Sequence, residues 1–137
     1  MTTPLIPQAI LSAIGGKNLL MSEGNQERDF VYVGDVVDAL MLCTSQSFPA
    51  GSVFNIGSGV GVPVKTVAHR VLELMDNPSK LLLGALKTRP DEIMEMSADI
   101  SAARDRLGWQ PITPLDEGLR RSIAWFTENQ EIALQLQ

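Results

Sequence analysis

The 137-residue chain has few of the side chains that build disulfides, metal sites and catalytic bases: one cysteine, one histidine and one tyrosine. A single cysteine, Cys43, excludes an internal disulfide and a thiolate metal site, so we expect a cytoplasmic protein without a bound metal. No apolar stretch reaches the roughly 18 residues that span a bilayer. The first residues also lack the basic start and apolar run of a signal peptide. The sequence therefore predicts no membrane association.

Positive charge is scarce as well: the chain has 11 basic and 16 acidic residues, which gives a net charge of -5. That balance disfavours DNA, RNA and anionic lipid as partners, while a small anionic ligand held by local arginines stays open. With 45% hydrophobic and 20% charged residues, the composition is ordinary for a globular protein. The length predicts one domain over residues 1–137.

Hydrophobic periodicity predicts short strands that alternate with helices, which is an α/β fold class with some parallel pairing. Helices are expected at residues 4–14, 36–43, 64–76, 100–107 and 114–126, and strands at 19–21, 28–33, 52–56 and 81–83. Asp35 and Asp99 are the expected N-caps of the second and fourth helices. Because the helix at 36–43 is apolar on nearly every side, we expect it to be buried on more than one side.

The strand at 52–56, a glycine-rich turn and the next helix have the order of a dinucleotide-binding unit. The glycines at positions 57, 59 and 61 lack the G-x-G-x-x-G or G-x-x-G-x-x-G spacing that lets a backbone approach a pyrophosphate. Pro63 also removes an N–H group that a phosphate could use. A tight strand-to-helix connection is the favoured interpretation. His69, on the polar face of the helix, is interpreted as a surface residue.

Two arginines are candidates for anion binding. Arg28 follows a polar loop and Arg89 precedes Pro90 in another loop, and a guanidinium on a loop suits bidentate capture of phosphate or carboxylate. The alternative for Arg28 is a surface ion pair with a neighbouring carboxylate, either Glu27 or Asp29.

Four separated strings occur in order: RDFVYVGDVVDAL at 28–40, VFNIGSG at 53–59, RPDEIMEMSADISAARDRLGWQP at 89–111 and LDEGLRRSIAWF at 115–126. Together they resemble the C-terminal part of the extended short-chain dehydrogenase/reductases, specifically NAD-dependent nucleotide-sugar epimerases and dehydratases of the UDP-glucose 4-epimerase type. The likeness runs from about Ile6 to Phe126. It implies the C-terminal, substrate-binding part of an extended Rossmann-type epimerase without its N-terminal NAD-binding half.

The resemblance also implies roles for individual residues. The family residue that matches Arg28 contacts the substrate diphosphate, the one that matches Arg89 makes a second phosphate contact, and Glu92 matches an acid near the nucleotide ribose. Asn55 matches a position kept for architecture. Gly34 stands where the family has the first of two tandem acids, which we expect to loosen the start of the helix.

The family's catalytic pair is not found in this sequence. The resemblance implies hydride transfer to NAD with a tyrosine base and a lysine four residues later, but Tyr32 is the single tyrosine and position 36 is valine. We therefore expect no catalytic residues, no cofactor bound by this chain alone and no activity alone, with NAD bound only in the full-length family.

Two functions follow from the resemblance. The first is weak nucleotide-sugar binding, with the chain as a truncated reading frame or one half of a split enzyme that pairs with a complementing N-terminal half. The alternative is a non-enzymatic oligomerising or assembly module. That alternative depends on an exposed sheet edge at 53–56 and an exposed apolar face around Met41, which invite a homo-oligomer.

Overall fold

The computed structural model describes residues 4–131 and contains two compact units. Of the described residues, the first unit holds 4–26, 63–94 and 119–131, and the second holds 27–62 and 95–118. The predicted lack of a signal peptide rests partly on residues 1–3, which lie outside the described residues.

The elements confirm an α/β fold. The helices are α1 (Leu5–Ile14), α2 (Val33–Ser45), α3 (Val64–Leu74) and α4 (Leu115–Glu128), and the strands are β1 (Leu19–Leu20), β2 (Glu27–Asp29), β3 (Gly61–Pro63) and β4 (Leu81–Leu82). A π-helical segment spans Ala103–Leu107. β1 pairs with β4 and β2 pairs with β3, so the strands form two two-stranded sheets.

The core of the first unit lies between α1 and α3, which pack together. Ile10 from α1 and Val67 and Val71 from α3 are fully buried, as expected from helices with one apolar stripe. β1 and β4 pair in parallel, with Leu19 opposite Leu81, which confirms the predicted parallel pairing. The expectation that 81–83 is a buried strand is wrong in part, because Leu82 is 37% exposed.

The loop that leads into β2 is attached to the start of α3. The N–H of Lys65 donates to the carbonyl of Gly24, and the N–H of Val64 donates to the carbonyl of Gln26, both at 3.0 Å. Gly24 has a φ of +66°, and a Cβ there would lie 2.8 Å from the Cβ of Lys65. Only glycine fits this close approach of the loop to α3.

The core of the second unit is a cluster of Ala39, Ala103, Leu107 and Trp109. Residues from α2 and from the surrounding loops complete it. The partly buried side chains packed against it are Val31, Leu42, Cys43, Phe48, Phe54, Ile56 and Ile100. The indole Nε1–H of Trp109 donates to the carbonyl of Asp35 at 2.8 Å, so the polar edge of the ring is satisfied inside the cluster.

The strand predicted at 52–56 is wrong, because the segment is not paired into a strand. It keeps the alternation of a strand, with Val53 and Asn55 exposed and Phe54 and Ile56 half-buried. The physical reason is that a strand needs a partner, and no neighbour within residues 4–131 bonds to this main chain. The strand predicted at 28–33 is also too long, since β2 ends at Asp29.

The predictions for the second helix need two corrections. α2 begins at Val33, so Asp35 lies in its first turn and is not its N-cap. Asp35 is 3% exposed, whereas Leu40 is 60% and Met41 63% exposed. When a helix is apolar on all sides, its sequence does not indicate which side is buried. In α2 the buried side carries Asp35, while Leu40 and Met41 lie on the exposed side. The helix is therefore not buried on more than one side.

Candidate functional site

Arg28, the first candidate for anion binding, is the central residue of β2 in the second unit and is half-buried. Its Nη1 donates to the backbone carbonyl of Glu27 at 2.6 Å. The neighbouring Asp29 carboxylate accepts hydrogen bonds from residues 58, 59 and 98. The guanidinium of Arg28 is therefore tied to the main chain of its own strand by at least this bond.

Arg89 and Glu92 lie in the first unit, in the irregular segment that follows β4. The structure brings these two together in one turn, because the N–H of Glu92 donates to the carbonyl of Arg89 at 3.2 Å. Arg89 is exposed and Glu92 is half-buried. The turn holds one positive and one negative side chain three residues apart.

Asp29 of the second unit accepts four hydrogen bonds, and sequence reasoning missed this role. Its Oδ1 accepts from the N–H and from the hydroxyl of Ser58, both at 2.6 Å. Its Oδ2 accepts from the N–H groups of Gly59 and Ala98, both at 3.0 Å. A Cβ at Gly57 would lie 2.6 Å from this Oδ2. The N–H groups that a dinucleotide cradle would offer to phosphate are thus donated to the protein's own carboxylate.

The ionisation of Asp29 should make the stability of the chain depend on pH. Burial raises the pKa of Asp29, but hydrogen bonds from Ser58, Ala98 and Gly59 outweigh burial and hold it below its ordinary value. Because the unfolded chain then binds the proton more tightly, this contribution to stability is complete above about pH 5 and is lost as pH falls through the folded pKa. The free energy of unfolding should therefore decrease from about pH 5 to about pH 3.

Urea unfolding at several pH values checks this dependence. We expect Asp29→Asn to flatten the acid slope, because an amide does not titrate there. Asp38→Asn, which removes the same charge from an exposed position of α2, is the control. Equal slopes for Asp29→Asn and the wild type would contradict the prediction.

Asp35 has an equally structural role. Its Oδ2 accepts from the N–H groups of Ile112 and Thr113 at 3.2 and 3.0 Å, and its Oδ1 accepts from the hydroxyl of Thr113 at 2.8 Å. The buried carboxylate therefore holds the 112–113 loop against α2.

The predicted capping role of Asp99, at the start of the fourth predicted helix, is confirmed. The N–H of Ser101 donates to Oδ1 of Asp99 at 2.9 Å, and Gly108 ends the segment in the left-handed region with a φ of +71°. Asn55 donates from Nδ2 to the carbonyl of Asp99 at 3.2 Å, which fits its expected architectural role. The helix between them is π-helical over Ala103–Leu107, which periodicity did not predict.

Residues 4–131 contain no group of three or more His, Cys, Asp or Glu side chains arranged to hold a metal ion. No described helix is long and apolar enough to cross a membrane. One open cavity of about 470 Å³ in the first unit is lined in part by His69, Glu73 and Lys80, and its lining includes none of Arg28, Arg89 and Glu92.

Comparison with known proteins agrees with the motif set. The GDP-mannose 4,6 dehydratase family matches residues 1–122. The dTDP-glucose 4,6-dehydratase of Escherichia coli is 33% identical in an alignment of 139 positions, gaps included, that covers 93% of this chain and 38% of the relative. The chain thus spans about two fifths of the length of the curated relatives it matches, in their C-terminal part.

Two solved structures share the fold. The UDP-glucose 4-epimerase of Thermotoga maritima with UDP-glucose matches at 26% identity and a TM-score of 0.85, over 93% of this chain and 40% of its own. The Bordetella bronchiseptica enzyme WbmF in complex with NAD+ and UDP matches at 30% identity and a TM-score of 0.79, over 96% of this chain and 38% of its own. The chain therefore belongs to the GDP-mannose 4,6 dehydratase family of the extended short-chain dehydrogenase/reductases.

Proposed function

We propose that this chain is the nucleotide-sugar-binding part of an NAD-dependent epimerase or dehydratase. The observation that carries the proposal is the position of Arg28, held on β2 beside an Asp29 that accepts four hydrogen bonds. A side chain on such a rigid strand binds an anion at little entropic cost. Relatives that act on dTDP-glucose or hold UDP-glucose and UDP support a nucleoside diphosphate sugar as the ligand class.

The proposed chemistry is recognition of the diphosphate by guanidinium groups. Arg28 donates charge-assisted hydrogen bonds to the diphosphate, each stronger than a neutral bond. Arg89 and Glu92 are further proposed contacts to the same ligand class, Arg89 to a phosphate and Glu92 to the ribose hydroxyls. A carboxylate suits the ribose because it accepts two hydroxyl hydrogen bonds.

We infer that the cofactor chemistry belongs to residues outside this chain. NAD would supply the hydride acceptor, and the sequence offers neither the glycine spacing of an NAD cradle nor a lysine four residues after Tyr32. The contribution of this chain is to bind and orient the sugar nucleotide. A cytoplasmic location, where such nucleotides and NAD occur together, is part of the same proposal.

Substitution of Arg28 tests the proposed site. In a chemical-shift titration with UDP-glucose and with dTDP-glucose, we expect the chain to bind one of them weakly, with a Kd of about 1 mM. Arg28→Gln should weaken that binding about 10-fold or more, since a charge-assisted contact contributes about 1.5–3 kcal/mol.

The matched control is Arg104→Gln, which removes the same charge from an exposed arginine of the second unit that pairs with Asp105. Binding that is unchanged by Arg28→Gln, or weakened as much by Arg104→Gln, would contradict a specific role for Arg28.

A second candidate function, a non-enzymatic oligomerising module, is favoured by the apolar face of α2. Val37, Leu40 and Met41 are 49%, 60% and 63% exposed, and such surface drives association. This alternative predicts oligomers of the chain alone in light scattering. A monomer at about 0.1 mM would count against it.

A further inference from the structure

The open cavity of about 470 Å³ in the first unit has no role in the site described above, since none of Arg28, Arg89 and Glu92 lines it. Its lining comes from α3 and the turn that follows, between residues 69 and 77, and from the segment 79–82 that includes β4. A cavity of this size is in the range of small-molecule sites. We therefore asked which ligand chemistry its lining fits.

The helical side of the cavity combines an apolar base with ionisable groups. His69, Leu72, Glu73 and Asp76 all line it, and their spacing of three, four and seven residues from the first places them on one side of α3 and its last turn. Leu72 is 6% exposed, whereas the three ionisable side chains are exposed. A ligand here meets apolar surface below and charge around it.

Two charges of opposite sign in this lining have no partner. Glu73 is already paired, because its Oε2 lies 2.9 Å from Nη1 of Arg70. Within residues 4–131, no hydrogen bond or ion pair engages the carboxylate of Asp76 or the ammonium of Lys80, and the two do not pair with each other. An acid and a base that line one cavity without meeting are complementary to a ligand with both an ammonium and a carboxylate.

Polar groups with bonding capacity left over lie close to these charges in the sequence. Oγ of Ser79, another lining residue, is buried and has no hydrogen-bond partner in the part of the chain that the structure describes. Rotation about its Cα–Cβ bond would offer the hydroxyl to a ligand. Of the described strands, β4 pairs with β1 alone, so its second edge has open main-chain groups. A ligand with an amide group can bond to such groups.

We propose that this cavity binds short apolar peptides by their two charged ends, with a dipeptide as the smallest complete ligand. Lys80 binds the terminal carboxylate, Asp76 binds the terminal ammonium, and Leu72 and Leu81 contact the apolar side chains. The two ends of an extended dipeptide lie about 7 Å apart, which suits two side chains that do not reach each other. The proposal is independent of nucleotide-sugar binding.

A chemical-shift titration of the full 137-residue chain with leucyl-leucine tests the proposal. We expect saturable binding with a Kd of about 1–10 mM, with the largest shifts at amides of residues 69–82. The N-acetylated dipeptide and the C-terminally amidated dipeptide should each bind about 3-fold more weakly or worse, because each lacks one charge and an exposed ion pair contributes a factor of about this size. Free leucine should also bind more weakly, since its two charges are too close to reach both side chains.

Two variants assign each end of the ligand to its partner. Lys80→Gln should weaken binding of leucyl-leucine about 3-fold or more and leave the affinity for the amidated dipeptide unchanged. Asp76→Asn should do the same for the free and the N-acetylated dipeptide. Asparagine is the suitable replacement, because Asp76 has a φ of +46° and asparagine adopts this left-handed conformation readily.

The matched controls are Lys87→Gln and Asp91→Asn, which remove the same charges from exposed positions of the same unit outside the cavity lining. Both should bind leucyl-leucine like the wild type. The proposal is overturned by any of three results: no saturable binding up to about 20 mM, equal affinity for the free and the blocked dipeptides or for leucine, or equal losses for Lys80→Gln and Lys87→Gln.

Discussion

Replacement of Trp109 by alanine is expected to lower the free energy of unfolding by about 3–5 kcal/mol. Trp109 is 3% exposed and belongs to the core cluster of the second unit. Its removal leaves a cavity that the neighbouring Leu107 and Ala103 fill only partly. The substitution also leaves the carbonyl of Asp35 without the indole hydrogen bond at 2.8 Å. Urea unfolding followed by far-ultraviolet circular dichroism measures the loss.

Trp125→Ala is the matched control for this experiment. Trp125 lies on α4, is 45% exposed and stacks edge-to-face on Phe126, so its removal should cost about 1 kcal/mol or less. Trp109→Phe separates packing from the hydrogen bond, because it retains most of the ring and should cost about 1–2 kcal/mol. Equal losses for Trp109→Ala and Trp125→Ala would contradict the assignment of Trp109 to the core.

Replacement of Asp35 by alanine has the second largest expected effect, a loss of about 2–4 kcal/mol in the free energy of unfolding. The substitution removes the acceptor for the N–H groups of Ile112 and Thr113 and for the Thr113 hydroxyl. A buried donor without a partner costs about 1–3 kcal/mol. The gain from no longer burying a carboxylate keeps the total below the sum of those costs.

Asp38→Ala on the same helix is the control, because Asp38 is exposed and its loss should change stability by about 0.5 kcal/mol or less. Asp35→Asn should fall between the two, since its amide oxygen still accepts but its nitrogen does not. A stability for Asp35→Ala equal to that of Asp38→Ala would show that the 112–113 loop does not depend on this carboxylate.

The helices with a clear apolar stripe were predictable from sequence. α1 and α3 alternate apolar and polar residues at helical spacing, and the residues predicted for the core of α3, such as Val67 and Val71, are buried. The capping role of Asp99 and the helix end at Gly108 were also predictable, because a helix cap depends on residues within one turn.

Features that depend on distant residues were not predictable in the same way. The alternating burial at 53–56 matches the predicted alternation, but a strand also needs pairing, and no main-chain neighbour within residues 4–131 supplies it. The orientation of α2 depends on Asp35 meeting a loop 77 residues away. The role of Asp29 depends on Ala98, 69 residues away. No local pattern encodes such contacts.

The candidate site, too, was predictable from the sequence only in part. The sequence placed Arg28 after a polar loop at the start of a strand and Arg89 in a loop, and the motif resemblance supplied their proposed roles together with that of Glu92. The structure adds that Arg28 stands on β2 beside a carboxylate whose oxygens are all engaged by hydrogen bonds. In the glycine turn at 57–59, the N–H groups of Ser58 and Gly59 donate to that carboxylate.

Calorimetric titration of the wild-type chain with nucleoside diphosphate sugars tests the central claim most directly. UDP-glucose and dTDP-glucose are compared with uridine and thymidine, which keep the base and ribose but lack the diphosphate. We predict saturable one-to-one binding of at least one sugar nucleotide below about 10 mM, and affinity for its nucleoside that is about 10-fold or more weaker. No saturable binding of either sugar nucleotide up to that concentration, or equal affinity for the nucleosides, would contradict the proposed function.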